Sequence, residues 1–224
     1  MLTAEDLKQL EEKGITLEMF KSQIERFKTG FPYLKIKSVA TVGNGITKLT
    51  ESEELQCIKL WDDYLNEGSK VMKFVPASGA ASRMFKNLFE FASSGRNKPE
   101  TDFEKKFFDG IKNFAFYEAL DSACKAKHGE GIDALINKGE FVNVVKCLIT
   151  DDGLNYGNMP KGLLQFHKTG LSIHTPVEEH LEEGAQYAKD KNNVVNLHFT
   201  VSPEHRKEFV NLIEKKVPEM EKEW

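Results

Sequence analysis

Apolar residues at helical spacing open the chain. Across residues 3–27 they fall at Leu7, Leu10, Ile15, Leu17, Phe20, Ile24 and Phe27, a three-and-four rhythm that lines one face of a helix. Gly14 interrupts the run, so the pattern predicts two short amphipathic helices. Residues 30–49 are rich in turn formers, with short strands expected at 35–41 and 46–49. Helix resumes over residues 50–65 behind a Thr50/Glu53 capping box, in which each side chain accepts the other residue's backbone N–H. These first 70 residues carry no catalytic constellation, and they read as a mostly helical N-terminal extension, 1–70.

The period changes at Val71. VMKFVPA is a short run of β-formers that ends in the small-residue loop SGAAS, after which helical spacing covers residues 83–91; this predicts strand, turn and helix. A polar linker at 93–99 leads to helices expected over 101–126, 132–137 and 140–149, so residues 94–158 read as a helical insertion. The core pattern then returns with a short strand at 163–166, a helix at 175–189 and a strand at 194–201. A helix at 203–216 follows, with Ser202 at its start. Thr175, Pro176 and Glu178 give the 175–189 helix a capping box with proline in its first turn. Strands alternating with helices imply parallel pairing with right-handed crossovers, an α/β core over 71–224.

Composition narrows the partners. Sixteen phenylalanines promise an aromatic interior, and the net charge of −4 provides no general basic field for nucleic acid or an anionic membrane. Any phosphate has to be held locally. No apolar stretch approaches a membrane span, and residues 1–14 lack a basic-then-apolar leader pattern. Cys57, Cys124 and Cys147 are odd in number and show no metal-ligand spacing, which suits a reducing cytoplasm.

The chemistry worth testing lies in two segments. Ser78, Gly79, Ala80, Ala81 and Ser82 sit where a strand hands over to a helix, and small side chains there let an anion reach the backbone amides. Arg83 follows with a planar fork suited to phosphate. The plainer reading is a tight turn with a surface arginine. Downstream, Lys161 stands in a Pro160/Gly162 turn, placed either to act as a point charge on phosphate or to be solvated. Thr200 and Ser202 lie at the carboxyl end of the later strand, where open α/β sheets bind ligands; Ser202 reads first as a plain helix cap. Among weaker candidates, Lys86 could supplement the cations. His174 and His180 lack the spacing of a helical metal pair, Asp151/Asp152 read as a solvated turn, and His198 reads first as a satisfied core histidine.

Taken together in this order, the segments resemble a known class. VPASGAASRMFK is similar to the signature loop of GT-A-like sugar nucleotidyltransferases, Ala-Gly-Gly-x-Gly-Thr-Arg-Leu, with Ala77, Gly79 and Arg83 matching, Ser82 in place of Thr and Met84 in place of Leu. Ser78 and Ala81 replace two of its glycines. MPKGLLQFH and VVNLHFTVSPEH resemble later segments of the UDP-sugar pyrophosphorylase branch. PASGAASRM, MPKGLL, HTPVEEH and HFTVSPEH are closer still to the bacterial domain of unknown function 4301. The resemblance implies a Rossmann-type core and transfer of a nucleotidyl group from a nucleoside triphosphate to a sugar-1-phosphate or similar phosphorylated acceptor. It also implies magnesium, held by an aspartate that lies later in such proteins, so the chain is expected to be the N-terminal part of a longer one. The expected binding set is Ala77, Ser78, Gly79, Ala80, Ala81, Ser82, Gly162, Thr200 and Ser202, with Arg83 and Lys161 as the catalytic cations. An inactive nucleotide-binding module, or a glycosyltransferase on the same core, are the alternative expectations.

Overall fold

The computed structural model describes residues 2–170 and 172–222. The chain divides into two compact units, Met1–Leu55 and Gln56–Trp224. The first unit holds helices α1 (Ala4–Glu12) and α2 (Leu17–Thr29), then the two-residue strands β1 (Thr41–Val42) and β2 (Gly45–Ile46). Gly14 separates the helices as the sequence predicts, with φ of +64°, a left-handed conformation that glycine adopts without a Cβ clash. The expected strand at 35–41 shrinks to its last residue, because residues 31–40 have no ladder partner among the described residues. Helix α3 (Glu51–Asn66) spans the boundary between the units and begins at the predicted box: the Thr50 N–H donates to Glu53 Oε2 at 2.7 Å.

Within the second unit come β3 (Lys73–Pro76), α4 (Lys86–Ser93), α5 (Asp102–Asp109), α6 (Tyr117–His128), α7 (Ile132–Asn137) and α8 (Phe141–Ile149). They are followed by β4 (His167–Thr169), β5 (Ser172–His174), α9 (Pro176–Tyr187), β6 (Leu197–Thr200) and α10 (Arg206–Met220). β3 pairs in parallel with β6, Lys73 opposite Leu197 through Pro76 opposite Thr200, while β4 and β5 form an antiparallel hairpin. The protein is therefore a mixed helix-and-sheet structure in which β1 with β2 and β3 with β6 are parallel pairs, and each described sheet has two strands.

One predicted strand and one helix start need correction. Residues 163–166 form no strand: Lys161–Leu163 is a single 3-10 turn, although Leu163 and Leu164 are buried. A short apolar run registers burial, and burial alone does not choose between extended and turned backbone. The helix after the SGAAS loop starts at Lys86, three residues later than the apolar spacing suggests, with turns over 81–85. His198 is a third correction. It is exposed and stacks on exposed Phe74, ring centroids 5.1 Å apart, so that face of the strand pair is open rather than covered by a second helical layer.

Two apolar cores position everything else. The larger joins Ala81, Phe85, Leu88 and Phe91 to α5–α8, with Leu120, Leu148 and Ile149 among its fully buried members. The smaller joins Leu163, Val177, Leu181 and Phe209 beneath the parallel pair. Burying each such side chain contributes about 1.5–3 kcal/mol. Between β3 and α9, Lys73 ties the layers: its ammonium pairs with Glu183, donates to the His180 carbonyl at 3.2 Å and lies 5.1 Å over the Tyr187 ring.

Candidate anion-binding site

Parallel pairing puts the carboxyl ends of β3 and β6 side by side. The ladder runs one step beyond the strands, where the Ala77 N–H donates to the Thr200 carbonyl at 2.8 Å. Beyond that step the two chains part, Ser78 and Gly79 on one side, Val201 and Ser202 on the other. Such a splayed carboxyl edge is where open α/β sheets leave room for a ligand.

A third segment closes on this edge. The loop after α8 is held down by the helix's own last carbonyls: Leu154 N–H donates to Cys147 at 2.7 Å, Tyr156 N–H to Leu148 at 3.0 Å and Gly157 N–H to Ile149 at 3.1 Å. Asn155 takes φ of +56° to make the turn, a conformation asparagine tolerates better than most residues. Tyr156 is buried, and its hydroxyl accepts the Gln165 N–H at 3.2 Å. The loop so fixed delivers Pro160 opposite Ala80, where the Lys161 N–H donates to the Gly79 carbonyl at 3.1 Å and the Ala81 N–H to the Met159 carbonyl at 3.4 Å. The two segments singled out in the sequence, 80 residues apart, are thus bonded to each other.

The loop keeps donors in reserve. Among the described residues, the N–H groups of Ser78, Gly79, Ala80, Ser82 and Arg83 have no protein acceptor. These residues are exposed, as is Lys161. Among the described residues, neither Arg83 nor Lys161 forms an ion pair. Open amides on this loop, with the backbone of Lys161 bonded to it, suit an anion of several oxygens. Neither Ser78 nor Ala81 has positive φ, so no strain accompanies the loss of glycine at those places.

Other predicted residues have different surroundings. Ala81 is fully buried and packs its methyl into the larger core. Gly162 is a close-packing glycine, since a Cβ there would meet Phe209 Cζ at 2.9 Å and Val177 Cγ2 at 3.3 Å. Thr200 supplies a carbonyl to the ladder, and Ser202 begins a 3-10 turn, Pro203–His205, with no side-chain cap bond. Lys86 lies 3.7 Å from Glu90 on the surface of α4. Asp152 is engaged by Lys127 and Thr150.

Sequence spacing missed two features. His174 Nδ1 lies 2.9 Å from Glu179 Oε1, and with Glu182 these side chains place potential ligand atoms within 4.8 Å of one another; the partner of His174 is thus a carboxylate five residues on, while His180 faces Glu183. A mixed nitrogen and oxygen set does not suit magnesium, which prefers an all-oxygen octahedron. Residues 78–83 and Lys161 bring no carboxylate, so these residues do not fit magnesium either. The second feature is a phenylalanine-lined cavity beside α4 and α5, described below; only the count of phenylalanines hinted at it.

Fold and site together define a mixed α/β protein with open backbone donors at the carboxyl edge of a parallel strand pair. The family model described as "Domain of unknown function (DUF4301)" matches residues 3–224, and the chain belongs to that family. No curated protein and no solved structure matches the chain. Among the described residues, no helix is long and apolar enough to cross a membrane.

Proposed function

We propose that the carboxyl edge of β3 and β6 binds the phosphates of a nucleoside triphosphate, and that the protein is a nucleotidyltransferase-like enzyme acting on a sugar-1-phosphate or similar acceptor. The observation that carries this reading is the direct bond from the Lys161 N–H to the Gly79 carbonyl, 3.1 Å. It joins the lysine's backbone to the loop that holds the unused amides. In the proposed reaction a phosphate oxygen of the acceptor attacks the α-phosphorus, the bond to the bridging oxygen of the β-phosphate breaks, and pyrophosphate leaves. The protein's task is positioning and neutralising charge. Loop amides would hold the phosphate oxygens, with Arg83 and Lys161 balancing the charge on the departing pyrophosphate. The Rossmann-type, GT-A-like core belongs to the same proposal; its support is the parallel pair and the order of the motifs along the chain.

The test is titration with UTP and CTP by calorimetry, then release of pyrophosphate when a sugar-1-phosphate is added, with and without magnesium. Lys161→Ala and Arg83→Ala should each weaken triphosphate binding by about 1–3 kcal/mol, the range for a lost charge-assisted contact. Binding without pyrophosphate release would make the protein a nucleotide-binding module. Absence of binding, or affinity untouched in both variants, would remove the site.

A further inference from the structure

A cavity of about 490 Å³ lies where the turn after the SGAAS loop meets α4, α5 and the segment beyond Lys161. Its wall is built from Phe85, Phe107, Phe114, Phe116 and Phe166, with Phe103 and Met84 at the rim, and Lys106 is the charged side chain in the lining. We propose that this cavity binds a small amphipathic carboxylic acid, with the apolar body among the phenylalanines and the carboxylate on Lys106. The inference is independent of the nucleotide reading and stands on different residues.

Rigidity is the first argument. An apolar cavity open to water should collapse unless its walls are held apart, because each exposed ring forfeits packing and hydrophobic burial. Here the rings brace one another. Phe107 stacks on Phe114 at 5.4 Å and Phe114 on Phe116 at 5.0 Å, Phe116 meets Phe166 edge-on at 6.3 Å, and Phe166 packs on Phe85 at 6.4 Å. Phe85, Phe107 and Phe116 are themselves buried, anchored in the larger core behind the cavity. The space is therefore preformed and falls in the size range of small-molecule sites.

Charge supplies the second argument. At the rim, Phe103 is 41% and Met84 46% exposed, an apolar mouth that water covers poorly. Lys106 stands at the same opening on α5 and makes no ion pair among the described residues, whereas nearby Arg96 is fully engaged by Glu104 and Glu100. A lone ammonium beside an otherwise apolar wall complements a single negative charge on an apolar body. It does not match a polyanion, which needs several donors, or a neutral lipid, which leaves the lysine unanswered.

Calorimetric titration of the whole chain with dodecanoate below its micellar concentration, with 4-phenylbutyrate and with dodecanol tests the assignment. One acid per chain is expected, with dodecanol at least about ten-fold weaker than dodecanoate, the typical worth of a charge-assisted contact. The alkyl and aryl acids show which body the cavity prefers, and saturable binding of either sustains the class. Lys106→Met should lower acid affinity about ten-fold and leave dodecanol unchanged, while Met84→Glu should weaken both. Both substitutions lie at exposed positions, and circular dichroism verifies their folding. Failure of both acids to bind, equal affinity for dodecanol, or acid binding unaltered in the two variants overturns the proposal.

Discussion

Gly79 and Gly162 flank the same crossing of two segments, yet they answer different physical needs. At Gly79 a Cβ would meet nothing within 4 Å, and its φ lies outside the left-handed region. Gly79→Ala should therefore leave the urea midpoint unchanged, while its methyl group, projecting into the proposed phosphate space, should lower UTP affinity about ten-fold. At Gly162 the added carbon would collide with Phe209, which is 2% exposed and packed in the smaller core. Gly162→Ala should cost about 1–3 kcal/mol of stability, the usual range for overpacking, and equal urea midpoints for the two variants would contradict this division. The motif pattern made both glycines candidate binding residues. It could not separate them, because the atom that decides the matter at Gly162 belongs to a side chain 47 positions along the chain, on α10.

At the scale of elements, legibility followed the range of the deciding interaction. The boxes at Thr50/Glu53 and Thr175/Glu178 span three residues and stand where the sequence puts them. α5 has a box of the same kind, Thr101/Glu104, but its importance comes from Arg96, outside the helix. The guanidinium binds Glu104 through two bonds of 2.9 and 2.8 Å, and the same carboxylate accepts the Glu100 and Thr101 N–H groups at 2.8 and 3.0 Å. Arg96, first among these causes, holds the Glu104 carboxyl down at about 2. A depressed folded-state value means that this stabilisation is fully present above the ordinary carboxyl value of 4.5 and is lost as pH falls through about 2. Arg96→Met strands a carboxylate that is only 3% exposed. Breaking a buried pair costs about 3–5 kcal/mol; with Arg96 itself 28% exposed and two backbone donors remaining, about 2 kcal/mol is expected at pH 7. Urea melts at pH 7 and pH 3 check the sign: the gap between wild type and variant should narrow at pH 3, and a constant gap would show that the carboxylate is not the group responsible.

For the whole molecule, composition anticipated an aromatic interior and periodicity anticipated most of the helices, but neither anticipated how irregular backbone would be used. Two stretches without regular structure have opposite fates. Residues 150–160 are pinned to the end of α8 by backbone bonds and by buried Tyr156, and this is what holds Lys161 against Gly79. Residues 31–40 are exposed throughout, with Tyr33 at 100% and Leu34 at 89%, and the one backbone bond within them runs from the Ile36 N–H to the Leu34 carbonyl. Local opening needs little free energy where few bonds and little burial must be given up, and proteases report that difference. Brief trypsin treatment should therefore cut first after Lys35 or Lys37, while the bond after Lys161, although its side chain is exposed, survives much longer because bonded backbone on both sides must open before it fits a protease. Mass spectrometry of the first fragments decides the point. Early cleavage after Lys161 would mean that the α8 loop does not hold its place, and the meeting of lysine and loop on which the proposed phosphate site rests would lose its rigid support.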